Sequence, residues 1–211
     1  MVDDTPYQQS DLPVWESAPR KHWRITLNAP VVLAFSALCV IATAAGQATG
    51  GAVTQALFMT YRSSLADPMT YVRFLTHVLG HGGWDHLAGN LSYILLLGPL
   101  LEEKYGSRTL GAVIAVTAVI TGILNYVLFP NIALCGASGV VFAFIILSSV
   151  TSFRTGEIPL TFILVAIIFL GQQIIQGVFV ADNISNLSHF AGGVIGGAAG
   201  FKLGGGDKDA G

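Results

Sequence analysis

The sequence predicts an all-α, polytopic membrane protein built as a bundle of six transmembrane helices. Two observations carry this. Of the 211 residues, 53% are hydrophobic and only 10% are charged, whereas a soluble domain carries about 25% charged residues. The apolar residues also fall in six runs, each close to the length of about 20 residues that crosses a hydrocarbon core as a helix. Backbone groups in lipid must be satisfied internally, so these runs read as helices; no alternation of barrel type is present.

The elements follow in order. Residues 1–26 are polar and form a cytoplasmic N-terminal segment, with no cleavable signal sequence. The membrane domain covers 27–204, and a disordered cytoplasmic tail covers 205–211. Within the domain the expected spans are 29–47, 84–101, 109–129, 137–153, 159–180 and 187–203. Pro130 closes the third. Residues 154–157 separate the fourth from the fifth, and 181–186 the fifth from the sixth. The first loop, 48–83, is too long for a simple connector and holds Phe58, Met59, Tyr61, Met69, Tyr71 and Phe74. It reads as a folded element resting in the outer interface.

Charge sets the orientation, because cytoplasmic loops are enriched in Lys and Arg. Arg20, Lys21, Arg24, Lys104, Arg108, Arg154, Lys202 and Lys208 fall on one side, and Arg62 and Arg73 on the other. Both termini are therefore expected in the cytoplasm, with the first loop outside. A net charge of −2 gives no electrostatic basis for nucleic-acid binding. Two isolated cysteines, Cys39 and Cys135, make neither a disulfide framework nor a zinc site.

Polar groups inside a membrane are costly, so each is a functional candidate. Four stand near the outer ends of their segments: His86 and Asn90 in the second, Ser138 in the fourth and His189 in the sixth. At a helical rise of ~1.5 Å per residue they lie about 18–24 Å from the cytoplasmic ends of those segments, in one layer. Ser138 sits in Gly136-Ala137-Ser138-Gly139. If it opens a helix, its own amide is among the unpaired N–H groups at the positive end of the dipole, where an oxyanion is stabilised. The competing explanation is packing, since Gly139 and Ala143 form a small-xxx-small pair. His189 is the one ionisable residue inside its segment, Lys202 lying at the far end, and it precedes Gly192, Gly193, Gly196, Gly197 and Gly200. Such glycines bring helices close, which would put an imidazole base beside the serine. His86 and Asn90, spaced i, i+4, share a helix face and both can donate hydrogen bonds; an interhelical clasp is the alternative. His77, His81 and His86 fall within ten residues. A zinc site there is disfavoured by the lack of HExxH and of an intrahelical carboxylate.

From about Arg73 to Gly200 the chain resembles the rhomboid family of intramembrane serine proteases. The family's GxSG serine falls on Ser138, its sixth-helix histidine on His189, and its HxxxN pattern on His86 and Asn90. The upstream histidine matches His81, and Glu102 and Gly106 also fit. The resemblance implies a Ser138–His189 catalytic dyad without an acidic member, needing neither cofactor nor metal. It implies an oxyanion hole of His86, Asn90 and the Ser138 amide, supported by Gly136, Gly139, His81 and Phe142. It implies transmembrane protein substrates cut within the lipid bilayer of the cell (inner) membrane, at a site towards the outer face. Two positions depart from the pattern: Val72-Arg73 stands for Trp-Arg, and Phe142 for the tyrosine that packs on the histidine. Three alternatives have different sequence bases. A six-helix transporter or channel would use Asn125, Gln172, Gln173 and Gln176. An inactive rhomboid-like protein would only bind membrane proteins. A glutamate-dependent membrane protease would use Glu102, Glu103 and Arg108, although that motif is one residue too long here and a solvated helix end explains the pair.

Overall fold

A computed structural model describes residues 27–150, 160, 163–164, 167 and 191–200. Its helices are α1 (Pro30–Ala48), α2 (Ala52–Leu57), α3 (Pro68–Thr76), α4 (Trp84–Tyr105), α5 (Ser107–Leu128) and α6 (Ser138–Val150), with a further helical stretch α7 (Ala191–Gly200). Among the described residues the one extended pairing is an isolated antiparallel bridge, Thr60 to Leu134. Among them, two helices are long and apolar enough to cross a membrane, α1 and α5; α6 and α7 are apolar but shorter. α4 matches the expected second span but carries Asp85, Glu102, Glu103 and Lys104. Length and composition thus support two of the six expected spans. The fifth, 159–180, falls almost wholly outside the described residues, as do 1–26 and 205–211.

α6 is central. Its residues Val140 to Ile145 are all buried, together with Leu147. A helix that is apolar all round belongs inside a bundle, and α6 packs on both α4 and α5. Glycines admit α7 against it. A Cβ on Gly192 would collide with the Gly139 carbonyl, and one on Gly196 with the carbonyl of Ala143. The small-xxx-small pair of Gly139 and Ala143 is therefore a real helix contact.

The first loop is a folded element, as its composition predicts. Asp67 caps α3 by accepting from the Met69 amide at 3.0 Å, ahead of Pro68 at the first helical position. Arg73 is 8% exposed. Its Nε donates to the Ala56 carbonyl at 2.8 Å, its guanidinium lies 4.8 Å from the Tyr61 ring centre, and its Nη1 pairs with Asp67 at 3.5 Å. Asn125, a residue of the channel alternative, instead spends its Nδ2 on the carbonyls of Thr60 and Ile132. It is a tie between α5 and the loops.

One expectation is corrected at the C-terminal end of α4. Glu102 is not a solvated helix end: it is 4% exposed. Its carboxylate accepts from the backbone amides of Val31 at 3.0 Å and Val32 at 2.9 Å, and from the Ser107 hydroxyl at 2.7 Å. The first amides of α1 have no carbonyl of their own helix to bond, and a carboxylate at that positive end is the strongest acceptor available. Glu103, its neighbour, is exposed.

Candidate active site

Ser138 is the first residue of α6. The carbonyl of Ala137 accepts the first bond of the helix, from Val141 at 3.0 Å, so Ala137 is the cap. The amide of Ser138 has no acceptor within its helix and points from the positive end of the dipole. Ser138 is half-buried, and Gly136, Ala137, Gly139 and Val140 around it are buried. An accessible hydroxyl in an apolar, small-residue setting is what an attacking serine needs.

The turn before it is held against α4. Gly136 has φ +123°, a conformation L side chains rarely adopt. A Cβ there would lie 2.7 Å from Cε1 and 2.9 Å from Nε2 of His86, and 3.8 Å from Nδ2 of Asn90. The structure thus brings His86 and Asn90 to the backbone two residues before Ser138, as their i, i+4 spacing and common depth suggested. Asn90 is 7% exposed, and its Nδ2 has no hydrogen-bond partner among the described residues. Burying an amide donor without a partner costs roughly 1–3 kcal/mol. The clasp reading leaves that donor unexplained.

The other two histidines do separate jobs. His77 Nδ1 faces the carbonyls of Arg73 and Phe74 at 3.2 and 3.1 Å. Carbonyls only accept, so Nδ1 carries the proton; Nε2 lies 3.2 Å from Thr121 Oγ1, whose own proton goes to the Thr117 carbonyl at 2.7 Å. Burial pushes its pKa down to about 4. Its backbone carbonyl receives the Gly136 amide at 2.9 Å. His81 Nδ1 donates to the Leu79 carbonyl at 3.1 Å, leaving Nε2 to accept from the Ala137 amide at 3.4 Å. Its ring also stands edge-on to His86, with centres 5.0 Å apart. Burial, and secondarily the neighbouring His86, push the His81 pKa down to about 4, so the ring keeps the lone pair this acceptor role requires.

His189 lies outside the described residues. α7, which follows it, begins against the first turn of α6: Gly192 packs over Gly139, and a Cβ on Gly193 would be 3.1 Å from Cδ1 of Phe142. Phe142 is thus buried beside the start of α7. Sequence reasoning missed two structural contributors, the His77 carbonyl and the Asp67 cap. The second was readable, since Asp-Pro is a helix-start signature. The first was not, because a backbone acceptor leaves no trace in side-chain identity.

Comparison with known proteins identifies the family. Residues 68–206 match the Rhomboid domain. The chain is 27% identical over 176 residues to the rhomboid protease GlpG of Haemophilus influenzae, covering 81% of this chain and 89% of that protein. It is 31% identical over 134 residues to Rhomboid-related protein 1 of Caenorhabditis elegans, covering 59% of this chain. It is 30% identical over 158 residues to Rhomboid-related protein 2 of Mus musculus, covering 66% of this chain. It spans 37% of the nematode protein and 52% of the mouse protein. The match takes in α3 to α7, including every described residue of the site, and this chain belongs to the rhomboid family, whose members are membrane-embedded and typically intramembrane serine proteases.

Proposed function

We propose that this protein is an active intramembrane serine protease that cleaves transmembrane protein substrates with a Ser138–His189 dyad. The observation that carries the reading is the buried Nδ2 of Asn90 beside Gly136, which has no partner among the described residues, next to the helix N-terminus that bears Ser138. A donor kept idle at the positive end of a helix suits a charge that exists only during reaction. The base assignment draws on chain reach. Three residues span at most about 11 Å, so His189 is tethered near Gly192, which itself touches the residue after Ser138.

In this mechanism the Ser138 hydroxyl attacks the scissile carbonyl carbon while His189 takes its proton. The carbonyl oxygen becomes an oxyanion that accepts from the Ser138 amide, Asn90 Nδ2 and His86. The tetrahedral adduct collapses, its C–N bond breaks, and the imidazolium protonates the departing amine. Water, deprotonated by the same imidazole, then attacks the acyl-serine; collapse of that adduct restores Ser138 and releases the new carboxyl end. The architecture proposed with it has six spans, both termini in the cytoplasm, the first loop outside, and the site towards the outer face of the cell membrane.

A fluorophosphonate probe tests the chemistry. Wild-type protein in detergent should be labelled and Ser138→Ala should not. Absence of labelling in folded wild type would favour the alternative of an inactive rhomboid-like protein that binds membrane proteins without cutting them. Reconstitution in liposomes tests the channel alternative, for which conductance is expected and proteolysis is not. A cysteine at Ser63 tests topology: labelling only from the cytoplasmic side would overturn the orientation.

A further inference from the structure

We propose that His81 is a positioning residue for the proposed protease site: it holds the Ser138 amide and the His86 ring in register through a single imidazole. The inference rests on the reading above and concerns a residue that touches no reacting atom.

The backbone leading into Ser138 has two consecutive amides turned towards residues 77–81. Gly136 N–H bonds to the His77 carbonyl at 2.9 Å, and Ala137 N–H to His81 Nε2 at 3.4 Å. The next amide in the chain is that of Ser138, which α6 itself cannot satisfy. Fixing two successive peptide planes fixes the direction of the third. A helix cap ordinarily uses its own side chain to bond the amides of the first turn, but Ala137 has no polar side chain. The His81 bond instead ties down the cap residue from outside the helix.

The same ring orients a second donor. His81 is 1% exposed, and its proton position is set by the Leu79 carbonyl. Its edge-on contact with His86 has centres 5.0 Å apart and an interplanar angle of 71°. His86 in turn lies against the position a Gly136 Cβ would occupy. His81, the cap and His86 therefore form a closed set around one peptide unit. Moving the His81 ring would disturb two of the three proposed oxyanion donors together while leaving Asn90 where α4 holds it.

Two polar variants of the full-length protein separate positioning from packing. His81→Asn keeps a donor for the Leu79 carbonyl but is too short to reach Ala137. His81→Gln carries an acceptor at the distance of Nε2. Cleavage of a transmembrane peptide in detergent should fall about tenfold in kcat for His81→Asn, the loss expected of one positioning hydrogen bond. KM should change by less than about twofold, because the oxyanion bonds form mainly in the transition state. The rate of fluorophosphonate labelling should fall in step. His81→Gln should recover kcat to within about threefold of wild type by restoring that bond. Activities are taken per labelled site, with melting temperature measured on the same samples. If the two variants are equally active per site, whether both high or both low, the positioning role is overturned and the proposed protease reading stands. If wild type neither cleaves nor labels, that reading falls and this inference falls with it.

Discussion

The two ends of α4 each bury a polar side chain, and they treat it in opposite ways. At one end Glu102 accepts three hydrogen bonds, from Val31, Val32 and Ser107. Twelve residues earlier, about 18 Å along the helix, Asn90 leaves its Nδ2 without a partner among the described residues. Burial is almost the same, at 4% and 7% exposure. A buried polar group that is fully bonded lowers the energy of the fold, whereas one left unbonded raises it. The difference sets a carboxylate spent on the fold apart from a donor left open beside the turn that leads into Ser138.

Substitutions can break that comparison. The largest effect is expected at the reacting pair. Ser138→Ala and His189→Ala should each lower kcat on the order of 10⁶-fold, and the double variant should be little worse, since residues acting as a unit are non-additive. Near wild-type turnover by His189→Ala in a reconstituted assay would remove the base from that histidine. Next comes the open end of α4. Asn90→Ala should lower kcat by roughly 10²–10³-fold with KM little changed, and its melting temperature should hold, because no fold-stabilising bond is lost. A destabilised but fully active Asn90→Ala would make both ends of α4 structural.

The closed end should behave in reverse. Glu102→Ala strips the α1 amides of their acceptor and should cost about 1.5–3 kcal/mol. Thermal unfolding should move down by several degrees, with activity per folded molecule preserved. If instead Tm is unchanged and kcat collapses, the contrast between the two ends is wrong. The smallest effect concerns acid. His77 is buried and neutral in the fold, with a pKa near 4 against an ordinary 6.5. The unfolded chain therefore binds a proton that the folded one refuses, so stability is present above pH 6.5 and is lost as pH falls towards 4. At pH 5.5 the loss is about 1.4 kcal/mol. The Tm difference between pH 7.5 and 5.5 should shrink in His77→Gln.

The helices were legible in the sequence because lipid and a dry core impose one rule on every residue of a span. α1, α4, α5 and α6 fall within a few residues of the apolar runs that announced them. Ser138, His86 and Asn90 were legible as candidates because polar groups are rare in such runs, and the helical rise alone put them in one layer. The fate of Glu102 was not legible. A pair of glutamates at a helix end looks solvated unless one knows that the N-terminus of α1, 70 residues earlier, lands on one of them. The same holds for His81, whose role depends on where residues 136–138 turn back onto α4. Sequence by itself determined which stretches form apolar helices and which polar residues stand out within them. Only the tertiary structure decided which of those costs is offset by a partner and which is left open, because hydrogen-bond partners distant along the chain are chosen by packing, not by local pattern.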